Sequence, residues 1–347
     1  MGYIVFLALV AAIGGFLFGY DTAVISGTIT QVSTQFNLSP LQEGWYVGSA
    51  LVGSIMGVAV AGVMSDYLGR KKTMIISAVL FTVTGIGCAL SNSVNGLVLY
   101  RLIGGIGIGI ASIVSPIYIS EISVAKHRGR FVSFHQLAIT IGFLGAYLVN
   151  FQLLNLAGKG GWENPVLNKT FVSEVWRAML GMETVPAIMF FLMIFLIPES
   201  PRWLILKHSP DKASVVLRRI YSTDKEVNEQ IAQTQQVVQT EKKSEWKFLA
   251  EPGILKAVLI GVAIAMLGQF MGVNAVLYYG PSIFTDSGLS SGDSLFYQVL
   301  VGLVNMLTTV LALIIIDKVG RKQLVYWGVS GMIISLVCIA LYFKFGT

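Results

Sequence analysis

The chain has 347 residues, of which 54% are hydrophobic and only 12% charged, and its mean hydropathy of +0.73 excludes a water-soluble domain and marks a membrane protein. Its net charge of +6 is scattered through short loops between apolar segments. It therefore reports membrane topology, and no nucleic-acid partner is expected, since that would need a basic face clustered on a soluble domain.

Crossing a hydrocarbon core of about 30 Å takes about 20 apolar residues of helix. Segments of that kind recur at 3–26, 44–64, 73–90, 97–119, 132–154, 175–197, 255–279, 295–316 and 324–343, predicting an all-α polytopic protein with nine spans. The first segment lacks a basic leader, is too long for a secretory signal and contains Asp21, so it counts as a span. The runs are continuously apolar, whereas the strands of a barrel would alternate.

Lys and Arg collect in alternate loops: Arg70, Lys71 and Lys72, then Lys126, Arg128 and Arg130, then Lys318, Arg321 and Lys322. The opposite loops at 28–43, 91–96 and 280–294 have neither residue, and 157–173 has only Lys159 and Lys169. The basic loops belong inside, which puts the N-terminus in the cytoplasm. The polar stretch at 198–253 then becomes a cytoplasmic linker with short helices. It divides the chain into a six-helix N-terminal bundle (1–197) and a further set of three helices (254–347), as expected of a transporter built from two similar halves.

Two short words support a repeat. "DYLGRKK" (66–72) joins the second and third spans, and "DKVGRKQ" (317–323) joins the eighth and ninth. In each, a Gly permits a sharp turn, basic residues hold it on the inner face, and the leading Asp can accept from the helix that follows. "PESPRWL" (198–204) ends the sixth span, because its prolines cannot continue a helix. Cys88 and Cys338 fall in mid-helix and are expected to be buried thiols.

Charges inside spans are costly and mark function by default. Asp21 and Arg101 are the two that stand out. They form an ion pair that opens when Asp21 takes a proton, or else Asp21 caps a broken helix while Arg101 snorkels to the interface. Gln136, Gln269, Asn274, Tyr278 and Asn305 are polar groups placed in spans, suited either to sugar hydroxyls or to bonds between helices. Gly pairs at 15/19, 53/57 and 105/109 allow close helix approach. The histidines share no metal-ligand spacing, and "GGIGIGI" (104–110) lies inside a span without a βαβ context. No enzyme activity, cofactor or metal is expected.

Seven words in order, "FGYDTAVISGT", "DYLGRKK", "RLIGGIGIGIASIVSPIYISE", "HRGR", "PESPRWL", "GVNAVLYYGP" and "DKVGRK", make essentially the whole chain resemble the sugar porter branch of the major facilitator superfamily. The likeness is greatest to bacterial proton-coupled pentose and hexose symporters. The resemblance implies the major facilitator fold, a monosaccharide bound between the halves, alternating access, and a monomer in the bacterial inner membrane. It also implies proton coupling at Asp21 and Arg101 and sugar contacts from the five polar residues named above. Asp66, Arg70, Glu121, Arg128, Asp317 and Arg321 would form a cytoplasmic charge network that latches the halves.

The chain departs from the family pattern in two ways. Gly268 precedes Gln269 where the family usually has two glutamines, which puts the identity of the sugar in doubt. The family has twelve spans and nine are present, so the C-terminal half is expected to be a truncated one. A proton-coupled symporter, an uncoupled facilitator and a non-transporting sugar sensor all remain open at this point.

Overall fold

The computed structural model describes residues 2–124, 127–207, 209–221, 223–241 and 251–345, with the side chains of 237–241, 252, 317, 321, 342 and 343 outside the description. Lys126 is outside it altogether. Among the described residues all regular structure is helical: α1 (Gly2–Val24), α2 (Ile29–Phe36), α3 (Pro40–Leu68), α4 (Arg70–Leu90), α5 (Val94–Ile122), α6 (Arg128–Ala157), α7 (Pro165–Asn168), α8 (Val175–Gly181), α9 (Thr184–Ile194), α10 (Pro201–Leu206), α11 (Pro210–Leu217), α12 (Asp224–Glu241), α13 (Pro252–Phe270), α14 (Val273–Asp286), α15 (Ser291–Val319) and α16 (Arg321–Phe345). Among the described residues, nine helical stretches are long and apolar enough to cross a membrane.

Local chemistry sets the helix ends. Ser39 accepts from Gln42 N while the Gln42 side chain accepts from Ser39 N, and Pro40 opens α3. The two repeated words fold alike: Gly69 (φ +95°) separates α3 from α4, and Gly320 (φ +88°) separates α15 from α16. Only glycine takes up such angles without strain.

Two expected spans are each broken into two helices. The sixth divides at Met182 and Glu183, because Pro186 has no N–H for the Met182 carbonyl, which accepts from Val185 N instead. The seventh divides at Gly272 (φ +79°), between α13 and α14.

Contacts separate two compact units, Met1–Gly302 and Leu303–Thr347. Within the first, α3 and α5 meet backbone to backbone. A Cβ on Gly57 would lie 3.0 Å from Gly109 Cα, and one on Gly109 would lie 2.6 Å from Val58 N. Gly19 and Gly142 bring α1 and α6 together in the same way, each against the other helix's backbone. Tight packing of this kind takes the place of the hydrophobic drive that is weak between helices in lipid. The helices of the second unit are mostly exposed, and Cys338 is exposed while Cys88 is buried, which corrects the expectation that both thiols are buried.

Candidate functional site

The structure brings Asp21 of α1 and Arg101 of α5 together, with Arg101 Nη1 3.3 Å from Asp21 Oδ1 and both residues at most 2% exposed. A third charge joins them. Glu183 sits at the break between α8 and α9, is 1% exposed, and lies within hydrogen-bonding reach of Asp21 and in the field of Arg101. As two carboxylates, Asp21 and Glu183 can only accept, and Asp21 Oδ2 and Glu183 Oε1 have no donor among the described residues. Counted as ionised, two carboxylates face one guanidinium, and one proton held between them would make the cluster neutral.

Around this triad stand Tyr46, whose hydroxyl is 2.8 Å from Thr28 Oγ1, and Cys88. Tyr278 of α14 is buried and lies within electrostatic range of Asp21 and Arg101. Glu183 corrects the view that Asp21 and Arg101 are the two charges of interest. The signal was present, since an acid in "GMETVP" interrupts an otherwise apolar run. The rule that selected Asp21 applies equally there.

The polar residues assigned to sugar are placed less uniformly. Gln269 and Asn274 meet across the Gly272 break, with Asn274 Nδ2 donating to Gln269 Oε1 at 2.9 Å. Gln136 is exposed on α6, and a Cβ on Gly268 would meet nothing within 4 Å. Asn305 is half-buried on α15, in the second unit.

At one end of the first unit, Arg70 grips Glu121 in a two-pronged pair, Nε to Oε2 and Nη2 to Oε1, each at 3.0 Å. Its Nη1 also reaches Asp66 at 3.1 Å and the Ser65 carbonyl at 3.1 Å. Ser200 Oγ donates to Glu121 Oε2 at 2.5 Å. Asp66 was expected to receive the N–H groups of the following helix, but Glu199 takes that place, accepting from Arg70 N at 2.9 Å and Lys71 N at 3.1 Å. The reason is reach: Asp66 is spent on the Arg70 guanidinium, whereas Glu199 comes over Gly69 from the far side. Burial pushes the Glu199 carboxyl above its ordinary range despite these donors. Arg128 is exposed beside this cluster, lining a cavity of about 220 Å³ with Glu121 and Arg202. The side chains of Asp317 and Arg321 lie outside those described.

Comparison with known proteins agrees along nearly the full length. A family model described as "Sugar (and other) transporter" matches residues 7–347. A glucose transport protein of Synechocystis sp. is 39% identical over 343 residues, covering 98% of this chain and 72% of that protein. The D-xylose-proton symporter of Escherichia coli K12 is 36% identical over 367 residues, with 98% and 72% covered. The solved partially occluded, inward-open xylose transporter XylE from E. coli superposes with a TM-score of 0.80 at 35% identity, covering 93% of this chain and 73% of that one.

Proposed function

Because this chain belongs to the sugar transporter family, we propose that it imports a monosaccharide, a pentose or a hexose, together with protons by alternating access. The observation that carries this reading is the buried Asp21–Arg101 pair with Glu183 against it. In a membrane interior such a charge cluster is costly, and a cluster that one proton neutralises is a means of linking proton binding to helix rearrangement. The relatives named for glucose transport and for xylose-proton symport support both the substrate class and the coupling.

In this scheme Asp21 accepts the proton as its pair with Arg101 opens, Arg101 tunes that affinity, and Glu183 shares the charge. Gln136, Gln269, Asn274, Tyr278 and Asn305 bind the sugar hydroxyls, neutral donors and acceptors being what such a substrate needs. Arg70, Glu121, Asp66 and Arg128 belong to a cytoplasmic latch with Asp317 and Arg321. Residues 1–197 form a six-helix half, 198–253 a cytoplasmic linker, and 254–347 the first three helices of a second half. The N-terminus is cytoplasmic and the protein is a monomer in a bacterial plasma membrane.

The test is uptake of labelled xylose, glucose, galactose and arabinose into transport-deficient cells expressing the gene's full-length product, with and without a protonophore. Accumulation above the external concentration that the protonophore collapses is expected, together with loss of accumulation but retention of exchange in Asp21→Asn. Equilibration indifferent to the protonophore would replace symport with facilitation.

A further inference from the structure

Helix α14 contains Pro281, and proline has no N–H to give to the carbonyl four residues earlier. That carbonyl belongs to Leu277, which is 6% exposed and so largely shielded from water. Two side chains from other helices supply what the proline lacks. Tyr147 Oη of α6 donates to Leu277 O at 3.0 Å, and Gln298 Nε2 of α15 donates to it at 3.3 Å and to Val276 O at 3.4 Å. Both donors are deeply buried, Tyr147 at 1% and Gln298 at 0% exposure.

The junction is built for this purpose on each side. Gln298 lies so close over Gly280 that a Cβ there would be 2.8 Å from Gln298 Cδ, and the Tyr147 ring similarly needs Gly302, where a Cβ would lie 2.7 Å from Cδ2. Gln298 Oε1 has no partner among the described residues, so the hydrogen bonds of this amide run from its nitrogen. Leu277 precedes Tyr278, and α14 packs against the Ile25–Gly27 turn that follows the helix carrying Asp21.

We infer that Tyr147 and Gln298 are positioning residues that clasp the proline-orphaned Leu277 carbonyl and so hold α14, with Tyr278, closed against the end of α1. This rests on the transporter reading above and adds to it that α14 leaves α1 once per cycle. The clasp fits such a part because a side-chain hydrogen bond to a carbonyl is worth little net when it can be exchanged, yet costs more when the acceptor stays buried without a donor. The bond therefore breaks as the helix moves and re-forms when it returns.

The experiment uses the gene's full-length product purified in detergent, with Cys338→Ser and Ser26→Cys introduced, Ser26 being 3% exposed within the turn that α14 covers. The rate of maleimide labelling at position 26 reads how often α14 lifts, and it requires neither sugar nor proton, so its failure is separate from failure of the transport reading. Tyr147→Phe, which keeps the ring, is expected to raise that rate about 3- to 10-fold, the effect of losing one such bond. Gln298→Met is expected to act in the same direction. Pro281→Ala restores a helical N–H to Leu277 O, and in that background Tyr147→Phe is expected to change the rate less than about 2-fold. An unchanged rate in both single variants, or the same increase for Tyr147→Phe with and without Pro281→Ala, would overturn the clasp.

Discussion

Replacing Gly69 with Ala tests the turn between α3 and α4 at its narrowest point. The backbone there has φ +95° and ψ 165°, a region open to glycine and strained for any other residue, at a cost of about 1–3 kcal/mol. A Cβ would also lie 2.9 Å from Glu199 Cδ and 3.3 Å from the Trp203 ring. A flexible carboxylate would ordinarily swing aside. Glu199 is instead tied by Arg70 N, Lys71 N and its neighbour Ser200 N, at 2.9, 3.1 and 2.8 Å, so moving it uncaps α4, worth about 1–2 kcal/mol. The sum is about 2–5 kcal/mol. The assay is denaturant unfolding of the detergent-purified full-length product, for Gly69→Ala, Glu199→Ala and the pair together. Once Glu199 is gone, Gly69→Ala adds only backbone strain, so the double variant should lose at least about 1 kcal/mol less than the sum of the two single losses. A Gly69→Ala protein within about 0.5 kcal/mol of the unaltered one, or strictly additive losses, would refute the reasoning.

Gly109→Ala should destabilise by about 1–3 kcal/mol, because the new methyl enters the backbone of α3 and the two helices must part; a thermal unfolding midpoint that does not move would contradict this. Glu183→Gln, which removes one of the two buried acids, should abolish sugar accumulation while leaving exchange measurable, and accumulation ratios at two external pH values decide it. For Glu174, burial acts to raise the carboxyl, but the hydrogen bond and charge of Arg177 outweigh it and hold it below its ordinary value of 4.5. A depressed acid contributes stability above that value and loses it as the pH falls through the folded one. Unfolding curves should therefore weaken toward pH 4, and Glu174→Gln should flatten that dependence.

Much was legible in the residues themselves. Nine apolar runs, the paired turns at Gly69 and Gly320, and the singling out of Asp21 and Arg101 follow from rules that act along the chain: length against bilayer thickness, the φ angles only glycine reaches, the cost of a charge in lipid. Glu183 was equally open to those rules. Which acid faces which base was not. Glu199 rather than Asp66 takes the N–H groups of α4, and Tyr147 and Gln298 serve a carbonyl that Pro281 leaves bare, through contacts between residues more than twenty positions apart. Backbone periodicity says that a carbonyl is orphaned; only the packing of other helices decides which side chain comes within 3 Å of it, because a hydrogen bond depends on distance and direction that one-dimensional order does not contain.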